Sequence, residues 1–272
     1  MAGAAGGASG LGALGALAED PAASALLTDF DGTLAAIVPD PATAVPVPGA
    51  IDVLARLARH LGVVGVVSGR PAAFLRERLA GAGGAVHLVG VYGFEWFEDG
   101  ELRIAPEVEP WLGPAARVVA AARAEAPAGV GVEHKGAAVA IHWRRAPEAG
   151  AWGMAFARRW AADSGLELQP GRMAVELRPP VRIDKGVVVT RLSSGCRAVG
   201  FAGDDAGDLA AFAALDDLAR HGVLTARVAV ADEESPAALL DAADVVVEGP
   251  VQAIGLLRRL ADVVEARPAA GG

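Results

Sequence analysis

Two aspartates one residue apart, Asp29 and Asp31, end the first short apolar run of the chain and are followed directly by Gly32. Side chains at positions i and i+2 of an extended strand point to the same side, and a glycine allows the chain to turn immediately afterwards. Such a pair of carboxylates can divide the work of one reaction, because one can attack as a nucleophile while the other transfers protons. The alternative is a turn after a strand, since Asp and Gly favour turns.

Two further residues could serve the same chemistry. Ser68 ends a valine-rich run just before Pro71, where its hydroxyl could cap a helix. Lys185 lies at a predicted helix start, where a cation is electrostatically disfavoured unless an anion faces it. An exposed lysine is the alternative interpretation.

An acidic segment with the sequence GDDAGD runs from Gly203 to Asp208 after another apolar run. Asp204 and Asp208 are one helical turn apart, and their oxygen ligands would suit Mg²⁺. An acidic helix N-terminus without a metal is the alternative. Cys196 is the only cysteine in the sequence, which excludes a cysteine-rich zinc site and an intramolecular disulfide.

The composition limits the partners of this 272-residue chain. The formal net charge is -9, and no segment collects the lysines and arginines that an extended phosphate backbone would require, so nucleic acid is not expected. No stretch approaches the length of a membrane span. Residues 1–23 are predicted to be a flexible tail rather than a signal peptide, because no basic residue precedes their apolar part. We expect a cytoplasmic protein and a monomer.

The elements that must position these residues form a doubly wound α/β pattern. Short valine- and alanine-rich runs of the kind buried in parallel sheets alternate with helical patterns, and the acidic residues follow the ends of such runs. Carboxyl ends of parallel strands meet at one edge of a sheet, where function gathers. The predicted strands are 24–29, 62–67, 86–89, 198–202, 227–230 and 245–247.

The pattern changes between residues 104 and 178. Two helical stretches, 108–125 and 147–164, alternate with short segments at 131–134, 137–144, 166–169 and 173–178. Alternation of polar and apolar residues there indicates half-exposed antiparallel strands. We therefore predict a Rossmann-like parallel core, residues 24–103 and 179–267, interrupted by an α+β insertion over 104–178.

The segment Asp29–Leu34, DFDGTL, resembles motif one of the haloacid dehalogenase (HAD) superfamily, and Ser68, Lys185 and Asp204 follow in the order of its other motifs. The resemblance implies that the first aspartate forms a phosphoaspartyl intermediate and the second transfers protons. It also implies that Ser68 and Lys185 hold the transferring phosphoryl group. The residues implied for the Mg²⁺ site are Asp29, Asp31, Asp204, Asp205 and Asp208, with Asp204 as the direct ligand of the acidic segment and either Asp205 or Asp208 as its outer-shell partner. The insertion would be a cap of the C2 type.

Segments of the insertion resemble the cap of trehalose-6-phosphate phosphatases, namely VEHKG at 132–136, AIHWR at 140–144 and ELRP at 176–179, together with SGR at 68–70 and GVYGFE at 90–95. The resemblance implies a small sugar phosphate, trehalose 6-phosphate, as the substrate. This chain departs from the family pattern at Gly207, Leu209 and Tyr92, where many relatives have other residues. The implied substrate-binding residues are Gly69, Arg70, Glu133, Lys135, Arg144, Glu176 and Arg178.

Two alternatives stay open at this point. The first is another capped sugar-phosphate phosphatase, acting on sucrose phosphate or a mannosyl-phosphoglycerate. The second is a non-catalytic sensor of sugar phosphates, although binding alone would not require a proton-transferring carboxylate beside the nucleophile. A receiver-type signalling domain would have no cap and about half this length.

Overall fold

The structure, a computed structural model, describes residues 10–98 and 100–267. The chain divides into two compact units. The first, the core unit, comprises Met1–Leu102 and Ile183–Gly272, and the second, the cap unit, comprises Arg103–Arg182. The insertion predicted from the sequence spans 104–178, so its two ends differ from those of the cap unit by one and four residues.

The first part of the chain alternates strands and helices and ends in a hairpin. Its parallel strands arise from the valine-rich runs, while the hairpin joins at an antiparallel edge. The sequence analysis assigned no strand to this hairpin, which is formed by β4 and β5. The elements are β1 (Ser24–Thr28), α1 (Ala50–Leu57), β2 (Val63–Val67), α2 (Ala72–Arg78), β3 (Val86–Gly90), β4 (Glu95–Glu98) and β5 (Glu101–Ile104).

The cap unit is an antiparallel sheet covered by two helices on one face. Its strands lie in the order β6-β7-β9-β8. Val139, Ile141, Val175 and Leu177 pack on the helices, while alternate residues form a polar face. The elements are α3 (Leu112–Glu125), β6 (Gly131–Lys135), β7 (Ala138–His142), α4 (Gly150–Ser164), β8 (Glu167–Gly171) and β9 (Ala174–Arg178).

The last part of the chain returns to the parallel pattern. The described residues form one sheet of eight strands in the order β12-β11-β10-β1-β2-β3-β4-β5. Strand order reverses between β1 and β10, and ligands of such sheets bind at that switch point. The elements are α5 (Lys185–Leu192), β10 (Ala198–Gly203), α6 (Leu209–Arg220), β11 (Leu224–Ala231), α7 (Ala237–Ala242), β12 (Val245–Glu248) and α8 (Gly249–Glu265). The predicted doubly wound parallel core is therefore confirmed.

The core unit has an apolar layer on each face of its sheet. Successive residues of β1 alternate between them, so that Leu26 belongs to the layer with α1 and α8 and Leu27 to the layer with α5 and α6. Both faces of the central strands are therefore buried, which explains the continuous apolar runs in their sequences. No helix among the described residues has the length and apolarity needed to cross a membrane.

The prediction of a flexible tail before Ser24 is wrong for residues 10–23. Gly12–Ala18 form a 3₁₀-helix, and the side chains of Leu11, Leu14 and Leu17 are fully buried. Their three-residue spacing matches the three residues per turn of a 3₁₀-helix, which aligns them on one face. Leu14 and Leu17 pack over Gly200 of β10, where an added Cβ would lie 3.0 Å from Leu14 and 3.3 Å from Leu17. Residues 1–9 of the predicted tail lie outside the described part of the chain.

Candidate active site

A buried ion-pair cluster lies at the carboxyl ends of β1 and β10. Asp29 directly follows β1, Asp208 lies in the loop after β10, and Lys185 begins α5. The Lys185 Nζ lies 2.9 Å from Asp29 Oδ2 and 2.5 Å from Asp208 Oδ1, and all three residues are buried. The structure thus supplies the anions that the position of this lysine at a helix start requires.

The Asp29 carboxylate is fixed at both oxygens. Its Oδ1 accepts a hydrogen bond of 2.6 Å from the backbone N–H of Phe30, and its Oδ2 faces Lys185. The backbone N–H of Asp29 donates to Ala202 of the neighbouring strand. A carboxylate held in this way would need little reorganisation to attack as a nucleophile.

Asp208 organises the acidic loop. Its Oδ2 accepts hydrogen bonds from the backbone N–H groups of Asp204 (2.9 Å) and Asp205 (3.1 Å), while its Oδ1 accepts from Lys185. A Cβ at Gly203 would lie 2.3 Å from the Asp208 carboxyl carbon, so a larger residue would displace it. Asp208 therefore links the loop to the lysine beside Asp29.

The turn after Asp29 closes around Asp204. Gly32 has a φ of +70°, and a Cβ added there would lie 2.0 Å from Asp204 Oδ2. The Thr33 hydroxyl lies 3.4 Å from Asp204 Oδ1 and donates a long hydrogen bond to it. Sequence reasoning did not assign Thr33 a role, although it lies within the segment that resembles motif one.

The cluster contains more carboxyl groups than ammonium groups. Among the residues that the structure describes, the ammonium of Lys185 faces the carboxylates of Asp29, Asp204, Asp205 and Asp208. Burial, with the neighbouring carboxylates, raises the pKa of Asp29 to about 8 and that of Asp204 to about 9, although Lys185 opposes both shifts. Burial alone would lower the pKa of Lys185, but the carboxylates outweigh it and hold that pKa well above its ordinary value.

A divalent cation fits this donor set. Carboxylate oxygens of Asp29, Asp205 and Asp208 lie within 4.8 Å of one another. Oxygen donors that carry uncompensated charge are the ligands that Mg²⁺ and Ca²⁺ prefer. Of the predicted metal ligands, Asp31 and Asp204 lie outside this group of converging oxygens, although the charge of Asp29 acts on Asp204.

Ser68 and Asp31 are both linked to Arg70. The buried Ser68 hydroxyl oxygen accepts a hydrogen bond of 3.2 Å from the Arg70 backbone N–H. The Arg70 guanidinium donates to both oxygens of Asp31, each at 2.7 Å. This bidentate ion pair was missed by sequence reasoning, which assigned Arg70 only to the substrate, because no local pattern joins residues so far apart.

Glu95 is a second residue whose role the sequence did not reveal. Its buried carboxylate accepts a hydrogen bond of 2.7 Å from the backbone N–H of Ala72, the first residue of α2. An anion stabilises this helix end, which lies four residues after Ser68 along the chain. The sequence signal that could have identified Glu95 is the segment GVYGFE, which ends with this residue and resembles the family.

The polar face of the cap unit brings together three of its predicted residues. The Lys135 Nζ lies 3.8 Å from Glu176 Oε1 and 4.0 Å from Glu133 Oε2, and His142 Nε2 lies 3.3 Å from the same Glu133 oxygen. Glu176 Oε1 is buried and accepts no hydrogen bond from the described residues. A buried acceptor of this kind can receive a hydroxyl donor from a ligand.

Two cap residues remain from the predicted substrate-binding set. Arg178 donates a hydrogen bond of 3.0 Å to Gln169 on the neighbouring strand. Arg144 is exposed in the turn after β7, because the strand predicted to reach it ends at His142. The structure therefore does not bring Arg144 to the group formed by Glu133, Lys135 and Glu176.

Comparison with known proteins gives consistent matches. The profile of the trehalose-phosphatase family matches residues 27–244. The chain is 37% identical over 213 residues to a trehalose-phosphate phosphatase of Mycobacterium leprae, covering 72% of this chain and 48% of the relative. It is 33% identical over 252 residues to the enzyme of the same name from Mycolicibacterium paratuberculosis, covering 89% and 63%. The chain thus spans about half to two thirds of the length of these relatives.

A solved structure described as a trehalose-6-phosphate phosphatase related protein has the same fold. It superimposes with a TM-score of 0.75 over 89% of this chain and 100% of its own, at 22% identity. At that identity the similarity establishes the fold alone. The core sheet with its inserted α+β unit is therefore an arrangement that solved proteins share.

Proposed function

The chain belongs to the trehalose-phosphatase family, and on this basis we propose that it hydrolyses trehalose 6-phosphate to trehalose and inorganic phosphate. Its fold is a capped haloacid dehalogenase fold. The observation that carries the proposal is the buried Asp29 carboxylate, paired with Lys185 beside an acidic loop at the switch point of the sheet. A sensor of sugar phosphates would not need this desolvated nucleophile.

Asp29 is the proposed nucleophile. Its carboxylate attacks phosphorus in line with the departing sugar oxygen and forms a phosphoaspartyl intermediate. The Lys185 ammonium at 2.9 Å balances the charge of Asp29 and of the phosphoryl oxygens. The Ser68 oxygen already accepts from the Arg70 backbone, so its single hydrogen is available for a phosphoryl oxygen.

Asp31 is the proposed general acid and base. It protonates the departing sugar oxygen in the first step and takes a proton from the attacking water in the second. Arg70 donates to both carboxylate oxygens of Asp31, so this ion pair must open for proton transfer. Arg70 would then contact the phosphate, with the backbone of Gly69 beside it.

Mg²⁺ is the proposed metal. The converging carboxylate oxygens of Asp29, Asp205 and Asp208 would hold it, and Asp204, which lies outside that group, is proposed as a ligand from the resemblance. When bound, the ion would neutralise charge on the transferring phosphoryl group. The excess of carboxylates over ammonium groups in this cluster supports a cation, and their hard oxygen donors favour magnesium over softer metals. Asp31 remains a predicted ligand through the resemblance alone.

The sugar-binding residues of the proposal lie in the cap unit. Glu133, Lys135 and Glu176 combine donors and acceptors that suit sugar hydroxyls, and the unsatisfied Oε1 of Glu176 supports their assignment. Arg144 and Arg178 remain predictions from the resemblance. The cytoplasmic location and the monomeric state also remain predictions from the sequence.

The decisive test is phosphate release from a panel of trehalose 6-phosphate, sucrose 6-phosphate, mannosyl-phosphoglycerate and glucose 6-phosphate, each with Mg²⁺ and with a chelator. We expect magnesium-dependent release with a strong preference for trehalose 6-phosphate. Preference for another sugar phosphate would keep the chemistry of Asp29 but change the substrate. No release from any member would favour the sensor.

The Glu176→Gln variant tests the sugar site separately. Loss of this carboxylate should lower kcat/KM for trehalose 6-phosphate about ten- to a hundredfold, because a charged hydrogen bond to a substrate contributes about 1.5–3 kcal/mol. Hydrolysis of p-nitrophenyl phosphate, which carries no sugar, should change little. Glu167→Gln, on an exposed strand position of the same unit, is the matched control. Equal losses on both substrates would contradict a role in sugar binding.

A further inference from the structure

The turn after β3 has an unusual backbone. Val91 and Tyr92 adopt φ angles of +46° and +59°, in the left-handed region that favours glycine. A β-branched residue such as valine is particularly unfavourable there. Two consecutive residues of this kind persist only where the surrounding structure enforces them, and such turns concentrate at functional sites.

This turn holds the backbone of the loop that carries Ser68. The Tyr92 N–H donates to the carbonyl of Ser68, and the Val91 N–H donates to the carbonyl of Arg70, each at 2.9 Å. These carbonyls lie on either side of Gly69. The left-handed turn therefore directs both of its N–H groups to the loop that contains the proposed phosphate-binding serine.

The ring of Tyr92 packs directly on Gly69. A Cβ added at Gly69 would lie 2.6 Å from both Cζ and Oη of Tyr92 and 3.0 Å from Cε1. Gly69 has an ordinary φ, so its lack of a side chain is explained by the ring rather than by its backbone angle. The identities of these two residues are therefore physically coupled.

The other end of the turn contacts the beginning of α5. A Cβ at Gly93 would lie 2.6 Å from Ile183 Cγ2 and 2.8 Å from Val188 Cγ2. The indole N–H of Trp96 donates to the Gly93 carbonyl at 2.7 Å. One short segment thus lies against both the Ser68 loop and the helix that begins with Lys185.

We propose that Tyr92 is a positioning residue for phosphoryl transfer. Its ring, oriented by the left-handed turn, bears on Gly69 and keeps the Ser68 hydroxyl and the Arg70 guanidinium aligned with the phosphoryl group. This inference rests on the proposed function and extends it, because Tyr92 acts through Gly69 and needs no contact with the substrate.

A double-mutant cycle tests the coupling. Gly69→Ala should lower kcat/KM about a hundredfold, because its Cβ forces the loop away from the ring by about 1 Å. Tyr92→Ala should lower kcat/KM about tenfold by releasing the loop, mainly through kcat. The double variant should recover most of the activity that Gly69→Ala loses, since the added Cβ then occupies the space of the absent ring.

Conservative and matched controls accompany the cycle. Tyr92→Phe keeps the ring and should retain clearly more activity than Tyr92→Ala. Gly84→Ala should leave activity unchanged, because a Cβ at Gly84 meets no atom within 4 Å. Unfolding in urea, measured on each variant, separates a loss of global stability from a loss of alignment.

Two substrates distinguish failure of this inference from failure of the proposed function. The cycle is run with trehalose 6-phosphate and with p-nitrophenyl phosphate, and binding of inorganic phosphate is measured by calorimetry. If the wild-type chain hydrolyses neither ester, the proposed function fails, and rescue of phosphate binding in the double variant still supports the coupling. The coupling between Gly69 and Tyr92 is overturned if the loss in the double variant equals the product of the two single losses, in activity or in phosphate binding.

Discussion

Replacing Gly32 by alanine should disable the site far more than it destabilises the fold. Its φ of +70° would cost an alanine about 1–2 kcal/mol in the free energy of unfolding. The added Cβ would also lie 2.0 Å from Asp204 Oδ2, and ordinary contact begins at 3.4 Å, so the carboxylate must retreat by roughly 1.4 Å. A displacement of about 1 Å at a catalytic group costs about a hundredfold in rate. We therefore expect kcat/KM to fall about a hundredfold or more.

The assay is phosphate release from trehalose 6-phosphate across a magnesium series, with urea unfolding of the same samples. Because Asp204 is the displaced group, the Mg²⁺ concentration for half-maximal activity should rise as well. Gly249→Ala is the matched control, because Gly249 has a φ of +64° and a Cβ there meets no atom within 4 Å. It should lose similar stability and keep its activity.

The activities of Gly32→Ala and Gly249→Ala together test whether the position of Asp204 depends on Gly32. If Gly32→Ala retained the activity and the magnesium response of Gly249→Ala, the close approach of Gly32 to Asp204 would have no part in the site. The argument that the turn after Asp29 shapes the metal-binding loop would then be refuted. A loss confined to stability would have the same meaning.

Three more changes have expected outcomes. Asp29→Asn should lower kcat by at least about 10⁴-fold, as removal of a nucleophile does, and should retain trehalose 6-phosphate binding by calorimetry. Leu14→Ala should lower the free energy of unfolding by about 2–5 kcal/mol in urea, because its side chain is fully buried. Hydrogen bonds from Arg227 lower the pKa of Asp244. The difference in free energy of unfolding between wild type and Asp244→Ala should therefore have its full value above pH 3.8. It should shrink as the pH falls through the lowered pKa of Asp244.

Each of these outcomes has a control and a contrary result. Asp52→Asn changes an exposed aspartate of α1 and should keep full turnover, whereas hydrolysis by Asp29→Asn would reject the mechanism. Val251→Ala shortens a side chain that is 72% exposed and should cost little stability. If Leu14→Ala cost as little stability as Val251→Ala, the 3₁₀-helix Gly12–Ala18 would not be packed in solution. A stability difference for Asp244→Ala that grew on acidification would contradict the sign of its pKa shift.

Local patterns in the sequence were sufficient to predict the parallel strands and the candidate site residues that follow their ends. A valine-rich run such as Val63–Val67 indicates a strand that is buried on both faces, and an aspartate directly after such a run, as Asp29 follows β1, predicts the functional edge of the sheet. The 3₁₀-helix at Gly12–Ala18 was not predictable in this way. Its leucines are buried because Gly200 leaves space for them, and that complementarity joins distant parts of the chain.

The side-chain partners within the site were also beyond local patterns. The sequence identified Asp31 and Arg70 separately, but their bidentate ion pair depends on how β1 and β2 lie side by side. Likewise, Asp208 was expected near a metal, and the structure adds that it accepts hydrogen bonds from Lys185 and from its own loop. Such contacts follow from tertiary packing, which no single segment encodes.

The pairing of β1 with β10 also affects how the chain is synthesised and folds. Ser24 pairs with Ala198, so the whole cap unit is translated between these two neighbouring strands of the sheet. Contacts of such long sequence separation form late, because closing the intervening loop costs entropy first. The cap unit has its own apolar core and can fold meanwhile, which shortens the effective loop. One edge of β1 therefore stays open during translation until Ala198–Gly203 has emerged from the ribosome, and in that interval the nascent chain is most exposed to strand-edge association.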